Sequence, residues 1–595
     1  MPVTAPRRGT DPAAPWNTSV RYSSLHSGTA ARWGVVLTAC VNMAFELFLL
    51  GWLLQSEHMP RHTGQWATDA AAVFVVASIG AMEALRLVNV VSLSVASVVA
   101  RDPVPQPVPA GLRVALLTTI VPAKEPLETV RATLVAARQV RYEGGVDVWL
   151  LDEGDDDDVR TMCAELGIRH FSRRGVEAWN TDSGPFRAKR KHGNYNAWLD
   201  AHGDDYDVFL SVDPDHVPRE DFAEHMLGYF TDPTVAYVVA PQSYANSPDS
   251  MVAAAAESQQ FPFHTIIQRA ANRYHCAMLV GTNNAVRISA LRSIGGLRDS
   301  VTEDMATGLY LHSTRVPGSR RYWRSVYTPA VVAVGEGPSS FGDFYSQQDR
   351  WARGTFDVLM LDFWRRAWRL PPAQLLHYLL ITSFYPSMAL GWILGAVNAV
   401  LFAAVGAQGI TVPLALWLLL YVDATAFQAI LYIRNRRHNV SPFEAEGSYG
   451  LSGMAMSVLA SPIFANALLK ALLRAPASFV VTPKGGSATR DGLFTHRLHL
   501  GWGALFAASL LVPVWRGTFS APQAAWPAVA LLICLVPPVL SAVDRRRRRD
   551  VPVPEDAVAP HPGVGPTAFA AVPPPGWLTP APVTTVPHTW SKDPS

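Results

Sequence analysis

Charge is scarce in this sequence. Only 16% of its 595 residues are Asp, Glu, Lys or Arg, against about 25% in an ordinary soluble protein, which excludes one large water-exposed globule. The charges nearly cancel, at a formal +2. Without a strongly basic face, no nucleic-acid partner is expected. Cysteine is scarce as well. Cys40, Cys163, Cys276 and Cys534 stand far apart, which excludes a close-spaced zinc or redox motif and calls for no oxidising compartment. Residues 1–30 are polar, and the apolar run after them is too long for the core of a cleavable signal. It is expected to remain as a membrane span.

Apolar residues are in excess, at 49%, and they collect in blocks at 34–54, 71–100, 376–433 and 498–543. Crossing the hydrocarbon core takes about 20 apolar residues, which predicts six spans at 33–54, 72–98, 376–404, 410–433, 498–515 and 524–543. Positive charge orients them. Arg7, Arg8, Arg21 and Arg32 hold the N-terminus in the cytoplasm, and the Arg434, Arg436, Arg437 cluster and the Arg545 to Arg549 run then fall on the same side. Residues 450–473 could count as a seventh span. Crossing there would put the terminal arginines outside, so this stretch is expected to lie in the interface. The expected organisation is a disordered cytoplasmic N-terminus (1–30), two spans (31–100), a cytoplasmic soluble domain (101–340) and interface helices (341–375). Four spans with an interface helix and a cytoplasmic loop at 474–495 follow (376–543), then a disordered Pro-rich tail (544–595). The protein is expected in the plasma membrane, with membrane lipid around it.

Within the soluble domain, short apolar runs alternate with helical patterns. Val114–Pro122, Val146–Leu151 and Val208–Val212 read as strands, with helices at 128–140 and 194–203 between them. This alternation predicts a parallel α/β sheet, whose ligands bind beyond the carboxyl ends of the strands. Six clusters there carry the chemistry. Asp152-Glu153-Gly154 ends the second strand, and Asp213-Pro214-Asp215 follows the third. Two carboxylates at that spacing can share Mg2+ or Mn2+, whose other ligands come from phosphate and water. Lys191-His192-Gly193-Asn194 opens a helix, a natural place for phosphate. Thr302-Glu303-Asp304 offers a general base, or simply a capped helix start. Gln347-Gln348-Asp349-Arg350-Trp351 joins a guanidinium suited to a diphosphate with a ring suited to a sugar face. Phe479-Val480-Val481-Thr482-Pro483-Lys484 falls in the 474–495 loop.

In this order the clusters resemble the processive, cellulose synthase-like members of glycosyltransferase family 2: D-D-G, K-x-G-N, D-x-D, T-E-D, Q-x-x-R-W, then F-x-V-T-x-K. The resemblance implies a GT-A-type cytoplasmic α/β domain inserted between transmembrane helices, with about six spans plus interface helices. It implies donor contacts from Asp152, Glu153, Lys191, Asp213, Gln347 and Arg350. Asp213 and Asp215 would hold the metal, and Asp304 would be the base, in a site shaped by Glu303 and Thr302. Trp351, with Gly281, Thr282 and Asn283, would face the acceptor. Phe479, Thr482 and Lys484 would belong to a gating loop. The second aspartate of D-D-G is Glu153 here, which keeps the charge and lengthens the reach. The tail lacks the cyclic-dinucleotide-binding PilZ pattern.

The expected reaction is therefore an inverting, single-displacement transfer from a nucleotide sugar, UDP-glucose first, that builds a β-1,4-glucan and extrudes it. One possible partner is an accessory export protein. Trp392, Trp417 and Tyr385 are expected channel-lining residues. The same residues leave other readings open: a chitin- or hyaluronan-like polymer, a mannan, a β-1,3-glucan, a non-processive lipid glycosyltransferase, or a degenerate transporter or scaffold.

Overall fold

The computed structural model describes residues 19–444, 448–475 and 491–550. Two membrane-length helices come first, α1 (Thr29–Leu53) and α2 (Trp66–Val99). Both are apolar on most sides, and Leu37, Phe48 and Val73 point outward, as expected of helices solvated by hydrocarbon. Tyr22–Ser24 pairs antiparallel with Arg101–Pro103, so the chain before α1 is tied to the chain after α2. From residue 19 onward, the disorder expected over 1–30 is thereby corrected.

The soluble domain is built on a seven-stranded mixed sheet. Its strands in chain order are β1 (Val114–Ile120), β2 (Val146–Asp152), β3 (Arg169–Phe171), β4 (Val208–Ser211), β5 (Val235–Val239), β6 (Asn284–Arg287) and β7 (Arg324–Tyr327). Across the sheet the order is β7-β5-β6-β4-β1-β2-β3. All neighbours are parallel except β6, which runs antiparallel to both β4 and β5. β1, β4 and β5 are buried nearly throughout, so their continuous apolar runs reflect a sheet covered on both faces. Helix α3 (Leu127–Ala137) lies on one face, where Val130 and Leu134 meet Leu116 and Leu210. Helix α4 (Lys191–His202) lies on the other, where Trp198 meets Leu117 and Phe209. Helix α5 (Glu303–His312) starts directly after Thr302. The long α6 (Phe341–Val358) then leads toward the membrane half.

The membrane half contains α7 (Pro372–Thr382), α8 (Phe384–Val405), α9 (Leu414–Asn435), α10 (Leu451–Leu459), α11 (Ser461–Leu472), α12 (Arg497–Trp515) and α13 (Ala521–Asp550). Among the described residues, six helices are long and apolar enough to cross a membrane. Several boundaries differ from expectation. The third span begins at Phe384, not 376, because α7 docks under the soluble domain: the Tyr378 hydroxyl lies 2.7 Å from His312 Nδ1, and Gln374 donates to the Tyr274 carbonyl. The 450–473 interface element is a bent pair, α10 and α11, meeting at 41° with Pro462 in the first turn of α11. Phe464 and Ala467 of α11 are buried with Phe344 and Phe356 of α6 and Ala389 of α8. The last helix continues to Asp550, past the expected start of the tail at 544. The result is a mixed-sheet α/β domain set between membrane-length helices.

Candidate active site

The site forms where β1, β2 and β4 end. The antiparallel insertion of β6 brings residues 281–284 beside the chain leaving β4, and the Asp213 amide donates to Thr282 Oγ1 at 2.9 Å. Asp213, Asp215 and His216 place one ligand atom each within 4.8 Å of one another. His216 is buried, and both its ring nitrogens lack a hydrogen-bond partner among the described residues. Its imidazole fills the space beside Gly335, where a Cβ would lie 2.6 Å from Nε2. Two carboxylates and an unsatisfied imidazole suit a small divalent cation whose remaining positions go to phosphate and water. His216 was missed in the sequence, where its only signal is its place directly after D-x-D.

Lys191 opens α4 and reaches into the same space. Its Nζ lies 2.5 Å from Asp213 Oδ1 and donates to the Gly281 carbonyl at 2.6 Å. Burial disfavours the ammonium, but Asp213 and Glu303 outweigh it, and the Lys191 pKa ends above its ordinary value. Burial acts on Asp213 in the opposite sense, and the neighbouring Lys191 charge leaves its carboxyl below the usual range. In this arrangement Lys191 neutralises a carboxylate that a metal would otherwise occupy.

Asp304 and Glu303 stand at the first turn of α5, facing Gly281. A Cβ on Gly281 would lie 3.4 Å from Asp304 Oδ2, 3.8 Å from Glu303 Oε1 and 3.8 Å from Lys191 Nζ. The smallest residue thus keeps open the point where acid, base and cation converge. Burial and the Asp304 charge push the Glu303 carboxyl to about 7. Burial also raises Asp304, opposed by the Met305 amide at 2.8 Å and by Lys191. Two adjacent carboxylates that resist ionising together share a proton near neutral pH. Thr302 sits at the cap position but makes no capping bond. Its half-buried side chain instead meets α6, where a Cβ on Gly354 would come within 2.6 Å of its Oγ1.

Gln347, Arg350 and Trp351 of α6 line the cavity opposite Asp304, and Gln347 Nε2 donates to the Tyr244 hydroxyl at 3.2 Å. The wall also carries Lys191, Asp213, Asp215, Gly281, Thr302, Glu303 and Glu153. Three residues expected at ligands do not reach it. Asp152 is fully buried, and its carboxylate accepts from the amides of Gly154 and Asp156, at 2.8 and 2.7 Å. It shapes the loop that follows β2. Thr282 and Asn283 are also fully buried, the first holding Asp213 and the second donating to the Pro241 carbonyl at 2.8 Å. Phe479, Thr482 and Lys484 lie outside the described residues.

Glu153 makes a two-pronged ion pair with Arg173, at 3.0 and 2.7 Å, and accepts from the Lys189 amide. Arg173 is 1% exposed and also donates to the carbonyls of Trp179, Phe186, Arg187 and Arg190. This hub holds a strap, residues 173–190, that sets Lys189 and Arg190 on the cavity wall beside Lys191. The strap was not legible in the sequence, because its anchor is a lone arginine with distant partners.

The cavity has a volume of about 2120 Å³, larger than a small-molecule pocket of roughly 300–1,000 Å³. It continues past Trp351 between the membrane-length helices, along Tyr385, Trp417 and Tyr421, to Gly409, Gln523 and Trp526 at the end away from the soluble domain. Trp392 is not on its wall; it is buried edge-on against Trp502, Phe506 and Trp526, which corrects the expectation for that ring.

Residues 208–432 match the model of glycosyl transferase family group 2. The cellulose synthase catalytic subunit (UDP-forming) of Xanthomonas axonopodis pv. citri is 29% identical over 269 residues, 44% of this chain and 34% of the relative. The protein of the same description from Komagataeibacter sucrofermentans is 27% identical over 288 residues, 47% of this chain and 36% of that one. The chain spans about a third of the length of the curated relatives it matches. Among solved structures, the Pyrobaculum calidifontis mannosyltransferase PcManGT, in complex with GDP-Man and Mn2+, aligns over 68% of this chain and 100% of its own. The TM-score is 0.43 and the identity 16%.

Proposed function

We propose that this chain, a family 2 glycosyltransferase of the cellulose synthase-like kind, polymerises a β-glycan from a nucleotide sugar on the cytoplasmic side and passes it through the membrane. UDP-glucose is the expected donor and a β-1,4-glucan the expected product. The observation that supports this reading best is the single cavity joining Asp213, Asp304 and Trp351 to the space between the spans. A transferase that adds one sugar to a lipid has no need of such a passage. Basic residues at one end of the spans support the cytoplasmic placement of the catalytic domain.

In this reading Asp213, Asp215 and His216 would hold Mg2+ or Mn2+, which neutralises charge on the departing diphosphate when bound. Lys191, Lys189 and Arg350 surround the same space with cations suited to phosphate oxygens. Asp304 takes the proton from the acceptor hydroxyl as that oxygen attacks the anomeric carbon from the face opposite the nucleotide. The C–O bond to the diphosphate breaks as the new glycosidic bond forms, and the nucleotide leaves with the electron pair. Glu303, whose carboxyl keeps its proton to near neutrality, limits repulsion between the two groups. Trp351 offers a face on which the terminal acceptor ring can stack.

The test is incorporation of labelled UDP-glucose into polymer by the purified full chain in lipid, with and without Mg2+ or Mn2+, beside D304N. The expected product requires the metal, is cleaved by a β-1,4-glucanase, and falls at least 10²-fold in D304N, the scale of a lost general base. Incorporation from a different nucleotide sugar would replace the substrate and keep the architecture. Turnover by D304N equal to the parent's would refute the assignment of the base.

A further inference from the structure

Between α6 and α7 the chain keeps helical turns through residues 359–369. Met360, Trp364 and Trp368 recur there at every fourth position and are exposed, with exposed Leu361 beside them. So many large apolar side chains on a short outer segment mark an interaction surface. The exposed apolar surface continues along α7 through Leu376 and Leu379 to Phe384, where the third span begins. This face is thus continuous with the surface that the spans present to hydrocarbon, at the depth of the headgroups, where tryptophan is favoured. The same segment is basic. Arg365 and Arg369 are exposed. Among the described residues, Arg298, Arg365, Arg366 and Arg369 make no ion pair with a carboxylate. The nearby carboxylates are already taken, Asp357 by Arg353 at 3.0 Å and Asp362 by the Tyr310 hydroxyl at 2.9 Å. Arg366 lies 3.9 Å from the centre of the Tyr310 ring, and Arg298 lies 4.0 Å from the same centre. Two guanidiniums cannot share one face, so the ring is clamped between them. Tyr310 belongs to α5, about two helical turns beyond Glu303 and Asp304. Like charges held on either side of one ring repel each other, and an approaching anion relieves that repulsion.

We propose that residues 359–369 are an anionic-lipid contact through which phospholipid phosphates set the placement of α5, and with it the catalytic rate. Headgroup phosphate oxygens accept from Arg365 and Arg369, whose guanidiniums present forked donors. Trp364 and Trp368 enter the boundary between headgroups and acyl chains. The negative surface offsets the charges of Arg366 and Arg298, so both can close on Tyr310 and hold α5 in one position. A zwitterionic headgroup brings an ammonium along with its phosphate. Asp357 and Asp362 are engaged elsewhere, so that ammonium finds no partner here, and anionic lipid is preferred. The inference rests on the transferase reading above and adds to it a partner and a form of control.

The test uses the full chain in vesicles of phosphatidylcholine, alone or with one third phosphatidylglycerol. It compares the parent with R365Q/R369Q, Y310L, Y310F and R298Q. None of these residues lines the catalytic cavity. Two quantities are read: the rate of sugar transfer from UDP-glucose, and the unfolding temperature, which reports the lipid contact without turnover. Phosphatidylglycerol is expected to raise the parent's rate at least fivefold and its unfolding temperature by several degrees. In R365Q/R369Q both gains should shrink at least threefold, while the rate in phosphatidylcholine stays parental. Y310L removes the ring and no charge, so it should keep the gain in unfolding temperature and lose the gain in rate, with Y310F retaining both. R298Q, on the far side of the ring from the lipid contact, should show the same split as Y310L without opening the core. A parent indifferent to phosphatidylglycerol, full gains in R365Q/R369Q, or a full rate gain in both Y310L and R298Q would overturn the proposal. A parent that transfers no sugar in either lipid fails the transferase reading instead, and the unfolding temperature alone then decides the lipid contact.

Discussion

Replacing Gly354 by alanine tests whether α6 positions the base. Gly354 follows the Q-x-x-R-W element by three residues, and its missing side chain lets α6 lie directly on Thr302. A Cβ there would stand 2.6 Å from Thr302 Oγ1 and 2.9 Å from Thr302 Cβ, where ordinary contact begins at 3.4 Å. Rotating the threonine moves Oγ1 and Cγ2 but not Cβ, so the backbone at Thr302 must retreat by at least 0.5 Å (3.4 less 2.9), and by more than 0.8 Å (3.4 less 2.6) if the rotamer is kept, because Cγ2 lies nearer than Oγ1. The next two residues are Glu303 and Asp304, and the retreat carries them. Stability is expected to change little: removing a glycine from a helix interior gains up to about 1 kcal/mol, and overpacking costs about 1–3 kcal/mol. Catalysis is more sensitive, since a displacement near 1 Å can cost about 10²-fold. G354A should therefore unfold within a few degrees of the parent, bind donor with similar affinity, and turn over 10- to 100-fold more slowly. Adding T302A, which removes Oγ1 and Cγ2, should return at least tenfold of the loss. Donor hydrolysis and polymer formation, alongside thermal unfolding in detergent, measure all of this. Parental turnover in G354A, or a double variant no faster than the single one, would refute the positioning argument.

Three further outcomes follow from the site. The Glu303 carboxyl titrates at about 7 because burial and the Asp304 charge oppose its ionisation, and the repulsion acts on both partners. Asp304 works only when deprotonated, so rate falls as pH falls, and in E303Q that fall should move to lower pH because the like charge is gone; an unmoved limb would contradict the shared proton. Lys191 occupies Asp213 at 2.5 Å, so K191M should lower the metal concentration needed for half-maximal activity while lowering the maximal rate, read by Mn2+ titration; a higher metal requirement would show that Lys191 does not compete. Arg173 is buried with a paired glutamate and four backbone carbonyls, so R173M should destabilise the soluble domain by about 3–5 kcal/mol, seen as a lowered unfolding temperature; an unchanged temperature would remove the strap's anchor.

The membrane half and the sheet were legible in the sequence because each rests on a local, periodic signal. The six expected spans became six membrane-length helices, and the apolar runs ending at Asp152 and Asp213 became strands parallel to the one between them. Lys191, Asp213, Asp215, Asp304, Gln347, Arg350 and Trp351 were selected by residue type and spacing, and they lie on one cavity wall. Boundaries failed where tertiary contacts override composition: Tyr378 and His312 pull α7 out of the third span, and the strand pairing at Tyr22–Ser24 orders a polar segment.

What only the tertiary structure decided is which way each side chain points and what lies across from it. Asp152 and Asp213 look alike in sequence, each an aspartate at the end of a buried strand. The first turns into its own loop to satisfy the amides of Gly154 and Asp156, and the second turns outward to Lys191. Arg173 carries no motif, because its carboxylate partner Glu153 lies on another element, 20 residues away. By itself the chain determined its periodicity and its local chemistry, since both depend on neighbours a few residues apart. The assembly of that chemistry into a site depends on contacts between segments far apart in sequence, and only the packed fold sets those.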